Sequence, residues 1–152
     1  MLNNNDFIEA IGKQANEECI IKILKKCSMP EHVNIKRSEQ DVYIDNEAMG
    51  ISLLFEKPEY IAVEFPSDAP VLTAIFLYGP GDDDYSEYEG ELFKGVLFAD
   101  NREKVIEKLG DSDKFNSEMT TDYWSFSENK RIFVIYEETL SSIRRIQYGI
   151  IW

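Results

Sequence analysis

One order of elements runs through this chain twice: a short amphipathic helix, then three short β-branched and aromatic runs. In the first half Asn16 is a candidate helix cap, followed by Glu17 and Glu18 at the positive end of the helix dipole. Ile20, Ile23, Leu24 and Cys27 recur at the spacing of one helical face, and Pro30 lies just past the end. Ahead of them, Phe7, Ile8 and Ile11 make one helical turn that Gly12 closes. Runs at 42–44, 51–55 and 72–78 then read as strands, separated by turn residues. In the second half Asp100 and Glu103 have capping-box spacing, Val105, Ile106 and Leu109 form the apolar face, and Gly110 is placed to end the helix in the left-handed conformation. Strand-like runs follow at 123–126, 131–136 and 143–151. In the last, Ile146, Tyr148 and Ile150 alternate with Gln147 and Gly149, the period of a strand with one wet face.

The repetition predicts an α+β fold: an antiparallel sheet from two helix–strand–strand–strand units, with helices packed on one face. A chain of 152 residues, 43% hydrophobic, is long enough for one buried core and too apolar for wholesale disorder. The expected organisation is a single compact domain over 1–152. Pseudo-repeat 1 covers about 1–78, an acidic connection 79–91, and pseudo-repeat 2 about 92–152.

That connection is the second constraint. Between Lys57 and Lys94 stand nine acidic residues and no Lys, Arg or His, in a chain of net charge −13. Carboxylates this close repel one another and become favourable beside a cation. The plain reading is a solvated loop that keeps the protein soluble. The sharper one is a docking surface for a basic macromolecule, with Asp82, Asp83, Asp84, Glu87 and Glu89 as the charge and Tyr85 and Tyr88 as anchors, because tyrosine gives rigid contact area at interfaces. A sequence pI near 4.5 disfavours nucleic acid or an anionic membrane surface as direct partner, since phosphate contacts need Lys and Arg.

Catalytic chemistry finds little to stand on. His32 is the sole histidine. Cys19 and Cys27 lie eight residues apart in one predicted helix, about 12 Å along its axis, too far for a disulfide within it. They read as small buried apolar side chains. No His/Cys set has zinc spacing, and Asp82-Asp-Asp84 lacks the spacing of a calcium loop. Gly79-Pro-Gly81 is followed by acids, the wrong charge for cradling phosphate. Carboxylates are plentiful, but nothing singles out two of them. The expectation is a protein that is not an enzyme and takes no cofactor and no metal. A basic segment leading into an apolar stretch is absent at the start, and no run approaches the ~18 apolar residues of a membrane span, so a cytoplasmic location is expected. Tyr123, Trp124 and Phe126 read as core plus one rim residue. Trp152 is either a staple for the last strand or an exposed anchor.

The segment Phe98-Ala-Asp-Asn-Arg-Glu-Lys-Val-Ile-Glu-Lys-Leu-Gly110, followed by Asp122-Tyr-Trp-Ser-Phe126 and the strand to Tyr136, carries a resemblance. It resembles the helix–Leu-Gly–strand unit of the β-lactamase-inhibitor-protein and outer-membrane-assembly lipoprotein superfamily. The lead-in Leu92-Phe-Lys-Gly-Val-Leu-Phe98 looks like the stretch before this unit in bacterial toxin-immunity proteins, as does the pairing of 50–55 with 72–78. The resemblance is clearest over 92–150. The chain differs from the lipoprotein branch in having no lipobox, and Asp111-Ser112 stands where a proline is frequent. The resemblance implies a non-enzymatic inhibitor that occupies a toxin's active site or substrate groove. With the acidic stretch, the expected partner is a cognate toxin with a basic nuclease domain. The alternatives are an acidic protein–protein adaptor without a toxin partner, and a small carboxylate-based hydrolase.

Overall fold

A computed structural model describes residues 2–152. The chain runs α1 (Asn4–Ala10), α2 (Glu18–Lys26), β1 (Asp41–Asn46), β2 (Ile51–Glu56), β3 (Val71–Tyr78), α3 (Arg102–Leu109), β4 (Lys114–Asn116), β5 (Thr121–Ser125), β6 (Lys130–Tyr136) and β7 (Ile143–Ile150). Three single 3-10 turns, at Glu47–Met49, Pro58–Tyr60 and Phe93–Gly95, lie in the connections. The expected α+β class is what forms, and every strand pairing is antiparallel. All strands join one seven-stranded sheet in the order β1-β2-β3-β7-β6-β5-β4. The two halves of the chain therefore meet where β3 lies beside β7. Their element counts differ: two helices and three strands before the acidic connection, one helix and four strands after it. No helix is long and apolar enough to cross a membrane among the described residues.

Register explains the core. Ile44, Leu53, Ile75, Tyr148, Ile132 and Trp124 fall on one cross-strand row, so the pleat sends all six side chains to the same side. Leu53, Ile75, Tyr148 and Ile132 are fully buried there. Phe7 of α1 lays its ring 5.5 Å from that of Tyr148, whose hydroxyl bonds the side chain of Asn4. Ile20, Ile23 and Leu24 of α2 and Val105 of α3 are buried in the same cluster. Each such side chain contributes about 1.5–3 kcal/mol of transfer free energy. Trp124 is also inside, its indole N–H donating to the Gly110 carbonyl at 3.1 Å. Tyr123 points the other way.

The helix starts differ from those expected. Glu17, not Asn16, is the N-cap of α2 and makes no side-chain cap bond. Asn16 instead reaches across to the Ser67 hydroxyl at 3.3 Å, and the Glu17 carboxylate turns back to accept the Gln14 N–H at 2.6 Å. For α3 the cap is Asn101, whose side chain accepts from the Lys104 N–H. Asp100 is drawn away by an ion pair with Lys108 at 2.7 Å and a bond from the Leu97 N–H. Gly110 does end α3, with φ 84 but ψ −177, a backbone region that is essentially glycine's alone rather than the left-handed helical one. The turn expected at Phe7 to Ile11 is a two-turn helix with a full capping box between Asn3 and Asp6.

Gly50 shows how closely the acidic connection is held. It sits at φ 68, and a Cβ there would lie 2.1 Å from the Ser86 carbonyl oxygen and 2.7 Å from the Tyr88 nitrogen. Gly50→Ala is therefore expected to push that segment off the sheet, with a loss of roughly 2–4 kcal/mol from backbone strain and lost packing. Urea unfolding measures it; a cost below ~0.5 kcal/mol would contradict this packing.

Candidate functional site

The acidic connection leaves β3 at Tyr78 and is pressed at once against β7. The Gly79 N–H donates to the Arg144 carbonyl at 2.8 Å, and a Cβ on Gly79 would come within 2.7 Å of that same oxygen. Gly79 is thus packed, whereas Pro80 and Gly81 are exposed and a Cβ on Gly81 would meet nothing. Gly81 and Asp83 take positive φ, turning the chain back toward the sheet. Asp82 is 6% exposed and its carboxylate meets the Arg145 guanidinium, with Nε 2.8 Å from Oδ2 and Nη2 donating to Oδ1 at 3.0 Å. The Arg144 Nε lies 3.6 Å from Oδ1.

Two further ties follow. The Tyr85 ring stacks on that of Tyr78, centroids 3.7 Å apart and planes within 8° of parallel. Burial, and then the hydroxyl's bond to the Asp45 carboxylate, push the Tyr85 phenol well above its ordinary range. The backbone N–H of Ser86 donates to the Glu47 carbonyl and that of Tyr88 to the Tyr78 carbonyl, both at 2.9 Å. Tyr88 then turns inward, 6% exposed, with its ring 6.2 Å from Phe7. Burial pushes its phenol up to about 12.

The seven residues expected to dock a partner thus fall into three groups. Asp82 and Tyr88 face inward and hold the segment in place; neither is open to a partner. Tyr85 is half-buried against Tyr78. Asp83, Asp84, Glu87 and Glu89 are exposed. Glu47 and Asp45, also exposed, are joined to this surface through Ser86 and Tyr85. Sequence reasoning missed them because they come from the end of β1 and the turn after it, some 40 positions earlier. The result is a ridge of carboxylates on a backbone tied down at both ends. A fixed array of like charges focuses potential outward better than a mobile tail, because a partner need not restrain it on binding.

The remaining candidates are soon placed. His32 is exposed on a loop. Cys19 and Cys27 are free, Cys27 fully buried with its thiol pushed up to about 12 by burial. Among the described residues no group of three His, Cys, Asp or Glu side chains gathers closely enough to hold a metal ion. Trp152 is 42% exposed and meets Phe65 edge-on at 5.5 Å.

The buried phenols and thiol predict an alkaline limit. Each has a folded value raised above its unfolded one, so its contribution is complete below the unfolded value and is lost as pH rises through the folded one. For Cys27 the window opens at about 8.5 and for Tyr88 at about 10; both close near 12. Unfolding free energy measured between pH 8 and 12 is expected to fall continuously across that range. A flat profile to pH 11 would contradict the burial of both groups.

Comparison with known proteins finds no matching family model, no matching curated protein and no matching solved structure.

Proposed function

We propose that this chain is an immunity-type inhibitor, a cytoplasmic binding protein that blocks a cognate toxin by laying its carboxylate ridge into the basic groove of a nuclease. The observation that carries the reading is the way the ridge is built. Asp82 is spent on Arg144 and Arg145, and Tyr88 on the core, so that Asp83, Asp84, Glu87 and Glu89 stand on a fixed backbone. A loop serving only solubility needs no such anchoring. A nuclease groove is cationic because it holds polyphosphate, and a rigid row of carboxylates matches it in charge. Blocking needs only complementarity.

The test is co-expression with the product of the gene directly upstream, where a toxin paired with its inhibitor is expected. Growth should be rescued by the wild-type chain. It should not be rescued by the variant Asp83→Asn, Asp84→Asn, Glu87→Gln, Glu89→Gln at equal expression. Rescue by both, or capture of an acidic partner in place of a basic one, would overturn the proposal.

A further inference from the structure

The side of the sheet opposite Tyr148 has a charge pattern of its own. One cross-strand row traverses all seven strands: Asp45, Ser52, Phe76, Gln147, Phe133, Tyr123 and Lys114. It starts on an acid at β1, ends on a base at β4, and has Gln147 of the middle strand at its centre. The same division holds over the whole face. Its positions on β1 and β2 include Asp41, Asp45 and Glu56 and no cation; those on β4 to β7 include Lys114, Arg131 and Arg145, the last already paired with Asp82, and no acid. Asp41 and Glu56 oppose each other directly across the β1–β2 ladder. That like-charge pair is unfavourable, and among the described residues neither has an ion-pair partner. Among these charges lie two aromatic pairs, Tyr43 with Phe76 at 6.1 Å and Tyr123 with Phe133 at 5.7 Å. Tyr43 is 53% exposed and Phe76, Tyr123 and Phe133 are only half-buried.

From this we infer that the face binds a second copy of the chain, face to face, about a two-fold axis running along β7. Such a rotation lays β1 over the partner's β4 and β2 over the partner's β5. Asp45 then meets the partner's Lys114, Phe76 meets the partner's Phe133, and Gln147 meets its own counterpart. A two-fold axis across the strands would instead set acid on acid, so charge selects one of the two isologous arrangements. Ala74 and Gly149, paired beside the axis, let the sheets approach closely. The face has a raised corner, where Tyr85 covers Tyr78, and a hollow of about 430 Å³ beside Met119, Ile135 and Arg144. The same rotation brings corner over hollow. Seven strands at about 4.8 Å spacing and five residues deep give roughly 500 Å² per copy, about 1,000 Å² in all, the lower end of specific interfaces. A weak, salt-sensitive dimer follows.

The inference is independent of the toxin reading, and its test needs no toxin. Sedimentation equilibrium of the whole chain at ~0.02 M and ~0.5 M salt should show a dimer that dissociates as salt rises. Asp41→Lys with Glu56→Lys leaves Asp45 as the only acid among these face positions, and Lys114→Glu with Arg131→Glu leaves Arg145, already paired with Asp82, as the only base. Each variant, with its folding checked by circular dichroism, should be monomeric alone, and an equimolar mixture should form a one-to-one heterodimer. Lys114→Glu alone, at an exposed edge position, should raise the dissociation constant at least tenfold. A wild-type chain monomeric at ~100 μM, a dimer that survives either double reversal, or a mixture that stays monomeric would overturn the inference.

Discussion

Replacing Asp122 by Ala is expected to cost about 3–5 kcal/mol, a fifth or more of the roughly 5–15 kcal/mol that holds a domain of this size together. Asp122 is fully buried on β5, and four donors converge on it. Arg102 of α3 supplies Nε at 2.8 Å and Nη2 at 3.0 Å, Ser112 its hydroxyl at 2.7 Å, and Tyr136 of β6 its hydroxyl at 2.9 Å. Removing the carboxylate leaves a guanidinium and two hydroxyls with desolvation costs and no acceptor. Arg102 also lies over the Phe115 ring at 4.0 Å, so α3, β4, β5 and β6 loosen together. The urea midpoint should fall with an unchanged slope, and Tm by roughly 10 °C or more. Tyr136→Phe, which removes one donor and leaves the ion pair, should cost only about 1 kcal/mol. Equal costs for the two variants would show that the ion pair contributes nothing beyond the phenol's bond.

Asp82→Ala is the second large effect, and it separates anchoring from charge. It leaves Arg145 without its carboxylate partner in a setting where that side chain is only 25% exposed, at a cost of about 2–4 kcal/mol. The amides of Ser86 and Tyr88 should exchange with solvent faster, since the segment between Gly79 and Tyr85 then loses its ion-pair anchor. Binding to a basic partner should weaken although Asp83, Asp84, Glu87 and Glu89 all remain. Substituting the three aspartates 82–84 together therefore confounds two causes, and the informative neutralised variant spares Asp82.

That distinction was closed to the sequence. Asp82, Asp83 and Asp84 are chemically identical neighbours; the partner that buries the first lies 63 positions away on β7. Tyr85 and Tyr88 are likewise alike until Tyr78 and Phe7 claim them. What local periodicity controls was legible: the α2 stripe of Ile20, Ile23 and Leu24, and six of the strands to within two residues. The exception, β4, is a three-residue edge strand whose only apolar residue is Phe115, too short to show a period. Helix caps slipped by one residue because Asn16 is engaged by Ser67, 51 positions away, and Asp100 by Lys108 in the last turn of α3. Asp122 could have been found. It shares strand parity with Trp124, and an acid on the buried side of an aromatic run demands a partner.

On the proposed function, exposed carboxylates on a fixed ridge steer a basic partner onto this chain. Stopped-flow association with that partner, at ~0.01 M and ~0.15 M salt, tests it most directly, since screening shortens from ~30 Å to ~8 Å between them. For the wild type the on-rate should drop at least tenfold with added salt. For Asp83→Asn, Asp84→Asn, Glu87→Gln, Glu89→Gln it should start lower and change little. A neutralised variant that associates at the wild-type rate, with the same salt dependence, would contradict the account and return the ridge to the role of a solvated surface.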